Sequence, residues 1–114
     1  MIFSFFGSDV GKVRTSALAK LAELRQGGGE LVVVPSEESA TPMLKDALGA
    51  TSLFGEQGIY LLDMPSEDGV FFASVLELRS ALRDSENAFV LIEGPLKVND
   101  EKRVIKESTS AQKC

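Results

Sequence analysis

Short apolar runs alternate along this chain with stretches in which apolar residues recur every three or four positions. Ile2–Phe6, Leu31–Val34, Ile59–Leu62 and Ala88–Ile92 are the runs. Their near-continuous aliphatic and aromatic character predicts strands covered on both faces. After the first, Val10, Val13, Ala17, Leu21 and Leu24 repeat at helical spacing, with Lys12, Arg14, Lys20, Glu23 and Arg25 elsewhere. The spacing predicts an amphipathic helix capped by Asp9 and ended by Gly27-Gly28-Gly29. Ser36–Ala40 reads as an acidic loop. Thr41 as cap and Pro42 at the first helical position open a short helix, with Met43, Leu44, Ala47 and Leu48 on one side and Gly49 as its stop. Met64–Gly69 is a turn, and Val70–Arg83 a single long helix with Phe71, Val75, Leu78 and Leu82 inward. Asn99 or Asp100 caps a last helix through Glu107, anchored by Val104 and Ile105. Ser108–Lys113 is polar and reads as a frayed end.

Strands alternating with helices predict an α/β fold: a three-layer α/β/α domain with a mostly parallel sheet and right-handed crossovers. Residues 1–107 form the domain and 108–114 a polar C-terminal tail. The stretch between the second helix and the third strand departs from this regularity. Leu53 and Phe54 stand between Thr51-Ser52 and Gly55-Glu56-Gln57-Gly58. A large apolar pair on a polar, glycine-bounded connection has two readings. It either tucks under the third strand as core or is shown to a partner.

Charge and composition narrow the chemistry. The 114 residues suffice for one domain, with a net charge of −5 and a pI near 4.7. Such a surface repels nucleic-acid backbone on average, so any role on DNA is expected to be indirect or very local. Lys97, Lys102, Arg103 and Lys106 are diluted by Asp100, Glu101 and Glu107 and read as a solvated helix face. The chain has no histidine, and its one cysteine is Cys114. Histidine-based catalytic triads, the usual zinc sites and an internal disulfide are therefore excluded. No metal, cofactor or catalytic residue is expected. Met1–Phe6 lacks a basic leader and reads as a strand, and no run approaches the ~20 apolar residues of a membrane span. The expected location is cytoplasmic.

The first turn, Phe6-Gly7-Ser8-Asp9-Val10-Gly11-Lys12-Val13, has the context of a phosphate loop between strand and helix. Three residues separate Gly7 from Gly11, one fewer than that loop requires, and Val13 stands where a magnesium-binding hydroxyl belongs. Asp63 ends the third strand as a metal-holding aspartate would, but Met64 follows it in place of a second acid. Glu93 ends the fourth strand in the same way. Gly7, Gly11, Lys12 and Asp63 thus outline a nucleotide site that lacks its working parts. The alternative to a binding domain is a small divergent P-loop NTPase using Lys12 and Asp63.

Several segments together resemble the N-terminal domain of the DNA polymerase III delta subunit, a clamp-loader protein on an AAA+ scaffold. They are the first strand with Phe-Gly-Ser-Asp and a basic helix, Thr51-Ser52-Leu53-Phe54-Gly55-Glu56 before an aliphatic strand, Phe89–Glu93, and Lys97–Arg103 leading into the last helix. Thr51–Phe54 is the most specific of these. The resemblance implies a domain that does not hydrolyse ATP. It also implies that Leu53 and Phe54, led by Thr51 and Ser52, anchor in an apolar pocket of the sliding clamp and help open the ring, with other loader subunits as further partners. Gly49 occupies the position where clamp-binding peptides often carry glutamine. The implied strand order is 5-1-4-3-2, although only four strands are evident and the polar end holds little to make a fifth. A full delta subunit continues into a helical lid and a collar, so the chain is expected to be a fragment or an abbreviated relative.

Overall fold

The structure, a computed structural model, describes residues 1–52 and 55–114. Leu53 and Phe54, the pair singled out above, lie outside the described residues. The chain runs β1 (Ile2–Phe6), α1 (Val10–Arg25), β2 (Leu31–Val34), α2 (Thr41–Gly49), β3 (Ile59–Asp63), α3 (Gly69–Glu77), α4 (Arg79–Asp84), β4 (Ala88–Ile92), α5 (Val98–Glu107) and β5 (Ser110–Lys113). The strands form one sheet in the order β2-β3-β4-β1-β5, and every adjacent pair is parallel. Read from the β5 edge, this is the order 5-1-4-3-2 implied by the resemblance.

Alternation along the strands divides the core into two layers. On one face Ile2, Leu62, Phe89 and Leu91 pack with Leu44 and Ala47 of α2, Phe71, Val75 and Leu76 of α3, Leu82 of α4 and Val104 of α5. On the other, Phe3, Phe5, Ile59, Val90 and Ile92 meet Val13, Ala17 and Leu21 of α1 alone. Among the described residues the layers are therefore unequal, four helices against one. Burial follows: β1 and β4 are buried along their whole length, while Val33 on β2 is 55% exposed.

Four details differ from the sequence reading. Ser110–Lys113 is a fifth strand and not a frayed tail. The Thr109 amide donates to the Ile2 carbonyl at 2.8 Å and the Cys114 amide to that of Phe6 at 2.7 Å. Ser4, buried within β1, meets the Ser108 hydroxyl at 2.7 Å. Backbone pairing makes this strand, so its polar side chains give no sign of it. The expected long helix is broken at Leu78, whose ψ of 4° leaves the helical region, so α3 ends and α4 begins there, a break the apolar spacing does not reveal. Thr41 lies inside α2 and not at its cap, because a 3₁₀ turn over Glu38–Ala40 precedes it. Helix α5 starts at Val98, before the expected caps.

Deleting residues 108–114 should lower stability by on the order of 3 kcal/mol, since it removes several backbone hydrogen bonds each worth about 0.5–1.5 kcal/mol. It also bares the edge of β1, so the truncated chain should aggregate. Urea unfolding and light scattering check this; a truncation as stable and monomeric as the parent would show that β5 contributes nothing.

Candidate functional site

In an all-parallel sheet every strand points the same way, so the connections divide between two poles. The C-terminal pole gathers the turn after β1, Asp63 after β3 and Glu93 after β4. Gly7 there has φ of +140°, and a Cβ on it would lie 2.1 Å from the backbone oxygen of Cys114. That oxygen accepts from the Asp9 amide at 3.1 Å. The glycine is thus needed for close approach of the chain to itself. The turn wraps Cys114 where a phosphate loop would wrap an anion. The Asp9 carboxylate caps α1 by accepting from the Lys12 amide at 3.1 Å, which uses a second donor of the same turn.

Asp63 is equally engaged. Both its oxygens accept from the Arg14 guanidinium, at 3.0 and 3.1 Å. This fork locks α1 to β3 and balances the charge a metal ion would need. Among the described residues no group of three or more acidic or cysteine side chains is placed to hold a metal. Glu93 is 2% exposed and accepts from the Ser66 amide at 2.7 Å and from the Ser66 hydroxyl at 2.6 Å. Burial pushes its carboxyl above the ordinary value, against the pull of those bonds and of one from the Gly94 amide. It fastens the turn after β3 to the end of β4, and its oxygens face protein.

The N-terminal pole carries the Ala50–Gly58 connection. The C-terminal pole lies a strand length away, roughly 16 Å for five residues. Thr51, Ser52, Gly55 and Glu56 are all exposed, and the Gly55 amide donates to the Ser52 carbonyl at 3.1 Å. Both ends of the connection converge on the side chain of Asn87, which is 6% exposed. Its Nδ2 donates to the carbonyls of Ala47 at 2.9 Å and Ala50 at 2.8 Å. Its Oδ1 accepts from the Gly58 amide at 2.9 Å, and the Ala88 amide donates to the Gly58 carbonyl at 2.9 Å. Gln57 Nε2 adds a bond to the Glu86 carbonyl at 2.9 Å. On the β2 side, a Cβ on Gly29 would sit 2.0 Å from the Gln57 carbonyl oxygen, so the turn before β2 lies directly against the connection. A cleft of about 220 Å³ opens there between Glu30, Thr51, Glu56 and Tyr60.

The residues singled out from sequence therefore fall into two groups. Gly7, Gly11, Lys12, Asp63 and Glu93 share the pole closed by Cys114, Arg14 and Ser66. Thr51 and Ser52 stand at the other, leading to Leu53 and Phe54 outside the described residues. Asn87 was not singled out, because a lone asparagine before an aliphatic strand reads as an ordinary turn residue. Its only signal is its place at the entry to a fully buried strand. On α5, Glu101 pairs with Lys113 and Glu107 with Arg83, while Lys102 and Lys106 are exposed. Among the described residues no helix is long and apolar enough to cross a membrane. Comparisons with protein-family models, curated proteins and solved structures find no match to this chain.

A carboxyl with a raised value in the fold binds its proton more tightly there than in the unfolded chain. Its contribution to stability is then full below the ordinary carboxylate range and is lost as pH rises through the raised value. Glu93→Gln mimics the protonated form, accepting from the Ser66 amide and donating to its hydroxyl. The variant should gain on the parent in urea midpoint as pH rises from 4 to 8. Parallel curves for the two proteins would contradict a raised Glu93.

Proposed function

We propose that this chain is a non-catalytic clamp-loader domain of AAA+-like architecture. In this reading it binds the DNA polymerase III sliding clamp through Leu53 and Phe54 and helps open the ring during DNA replication. The observation that carries the reading is the clasped Ala50–Gly58 connection, whose flanking residues are exposed and whose ends are tied to a buried asparagine. A connection held this firmly at its base is suited to presenting an apolar pair, since ordering achieved on folding is not charged to binding. The strand order supports the scaffold half of the reading.

The magnitudes are adequate. Burying Leu and Phe side chains yields about 1.5–3 kcal/mol each, a large share of the roughly −8 kcal/mol of a micromolar complex. Ring opening then draws on whatever part of that energy favours the open interface over the closed one. Other loader subunits are further partners in this reading, and DNA is met only through the clamp. The alternative, a divergent NTPase using Lys12 and Asp63, is disfavoured by the Arg14 fork on Asp63 and by Cys114 within the turn.

Replacing both Leu53 and Phe54 by Ala should weaken clamp binding at least about a hundredfold and leave the circular dichroism spectrum unchanged. Unaltered affinity in a folded double variant would reject the docking role. Calorimetry with Mg-ATP separates the alternative. A binding domain gives no heat at millimolar nucleotide, whereas an NTPase gives a signal that Lys12→Ala abolishes.

A further inference from the structure

We infer that Asn87 is a positioning residue, a latch that fixes both ends of the Ala50–Gly58 connection and so sets how the connection meets a partner. The inference rests on the docking reading above for its consequence, but the latch itself is a property of the fold. An asparagine side chain offers one oxygen acceptor and two N–H donors. Here both kinds are spent on backbone groups of the connection and its approach: the Ala47 and Ala50 carbonyls at the end of α2, and the Gly58 amide just before β3. One buried side chain therefore joins the end of a helix, the start of a loop and the start of a strand.

The chemistry of the position is restrictive. A carboxylate of the same shape keeps the bond from the Gly58 amide but sets negative charge against two carbonyl oxygens. A hydroxyl is too short to reach all three groups. Neighbouring bonds brace the latch: the Asn87 amide donates to Ser85 Oγ at 3.1 Å, and Ser85 Oγ donates to the Leu48 carbonyl at 2.6 Å. The turn between α4 and β4 thus acts as one fixture under both feet of the connection. Closing the loop on that fixture spends its closure entropy during folding, before any partner arrives.

The test compares Asn87→Asp and Asn87→Ser with the parent, in the whole chain, by amide hydrogen exchange and by titration with the DNA polymerase III sliding clamp. Asn87→Asp should speed exchange at Gly55, whose amide donates to the Ser52 carbonyl, by about tenfold while Gly58, Phe89 and Leu91 stay protected. Asn87→Ser should release Gly58 as well. In both, clamp affinity should fall about tenfold with circular dichroism unchanged. Exchange in the connection that stays at parental rates, or rises only in step with Phe89 and Leu91, overturns the latch. Parental affinity in a variant whose connection has loosened overturns its positioning role. A parent that does not bind the clamp defeats the docking reading instead, and the exchange pattern still decides the latch.

Discussion

Parallel pairing throughout the sheet is the constraint from which the rest follows. Because β2, β3, β4, β1 and β5 all run the same way, each connection must cross from one end of the sheet to the other, with a helix on the way. Segments that leave strands collect at one pole and segments that enter them at the other. The turn after β1, Asp63 and Glu93 are forced together, and the Ala50–Gly58 connection is forced away from them. The two functional readings of the sequence thus concern opposite ends of the molecule, and each end can be judged by how its polar groups are used.

At the strand-exit pole they are used internally. An anion-binding turn needs backbone amides that point outward and remain free. Here the Asp9 amide is taken by Cys114 and that of Lys12 by the Asp9 carboxylate. Asp63 is paired with Arg14, and buried Glu93 accepts from the amide and hydroxyl of Ser66. Each contact ties two elements: β5 to the first turn, α1 to β3, the turn after β3 to β4. The residues that outline a nucleotide site in the sequence serve here to tie that end of the sheet together. The strand-entry pole is the opposite, with the side chain of Asn87 satisfied at its base and Thr51, Ser52, Gly55 and Glu56 exposed above it.

How much of this the sequence disclosed depended on where the stabilising energy resides. Elements held by apolar burial were legible: Ile2–Phe6, Leu31–Val34 and Ala88–Ile92 are strands with the bounds their composition indicates, and Asp9 caps α1 as expected. Elements held by backbone hydrogen bonds were not. Ser110–Lys113 looks like any polar end until β1 is beside it, and the break at Leu78 is invisible because Val75 and Leu82 keep helical spacing across it. The departure of the first turn from the phosphate-loop pattern could be read from the short Gly7–Gly11 spacing and from Val13. That Cys114 fills the turn could not, since it requires a strand the sequence did not reveal. Asn87 escaped notice for a similar reason, its three partners being backbone groups with no sequence signature.

The contrast between the two edge strands shows what does set a strand's composition. Among the described residues helix α1 is the one helix on its face, and it packs over β1 and β4 and the near side of β3, about the width one helix of ~10 Å can cover. Both edges lie beyond it. At one edge β5 is polar and exposed, and the helix groups it meets are polar too: Gln112 donates to Ser16 Oγ of α1 at 3.2 Å and Lys113 to Glu101 of α5 at 3.0 Å, so no apolar contact is demanded of it. At the other, β2 keeps Leu31 and Val33 on the uncovered face, registered beside Ile59 and Leu61, and Val33 stays largely in water. The far side of β2 is different: Val34 is 1% exposed in the layer beneath α2 and α3. A residue's pairing place in the sheet therefore does not decide its polarity; the helix above it does. A polar fifth strand and a strand buried on only one side are both consistent with a five-stranded sheet whose second layer is a single helix.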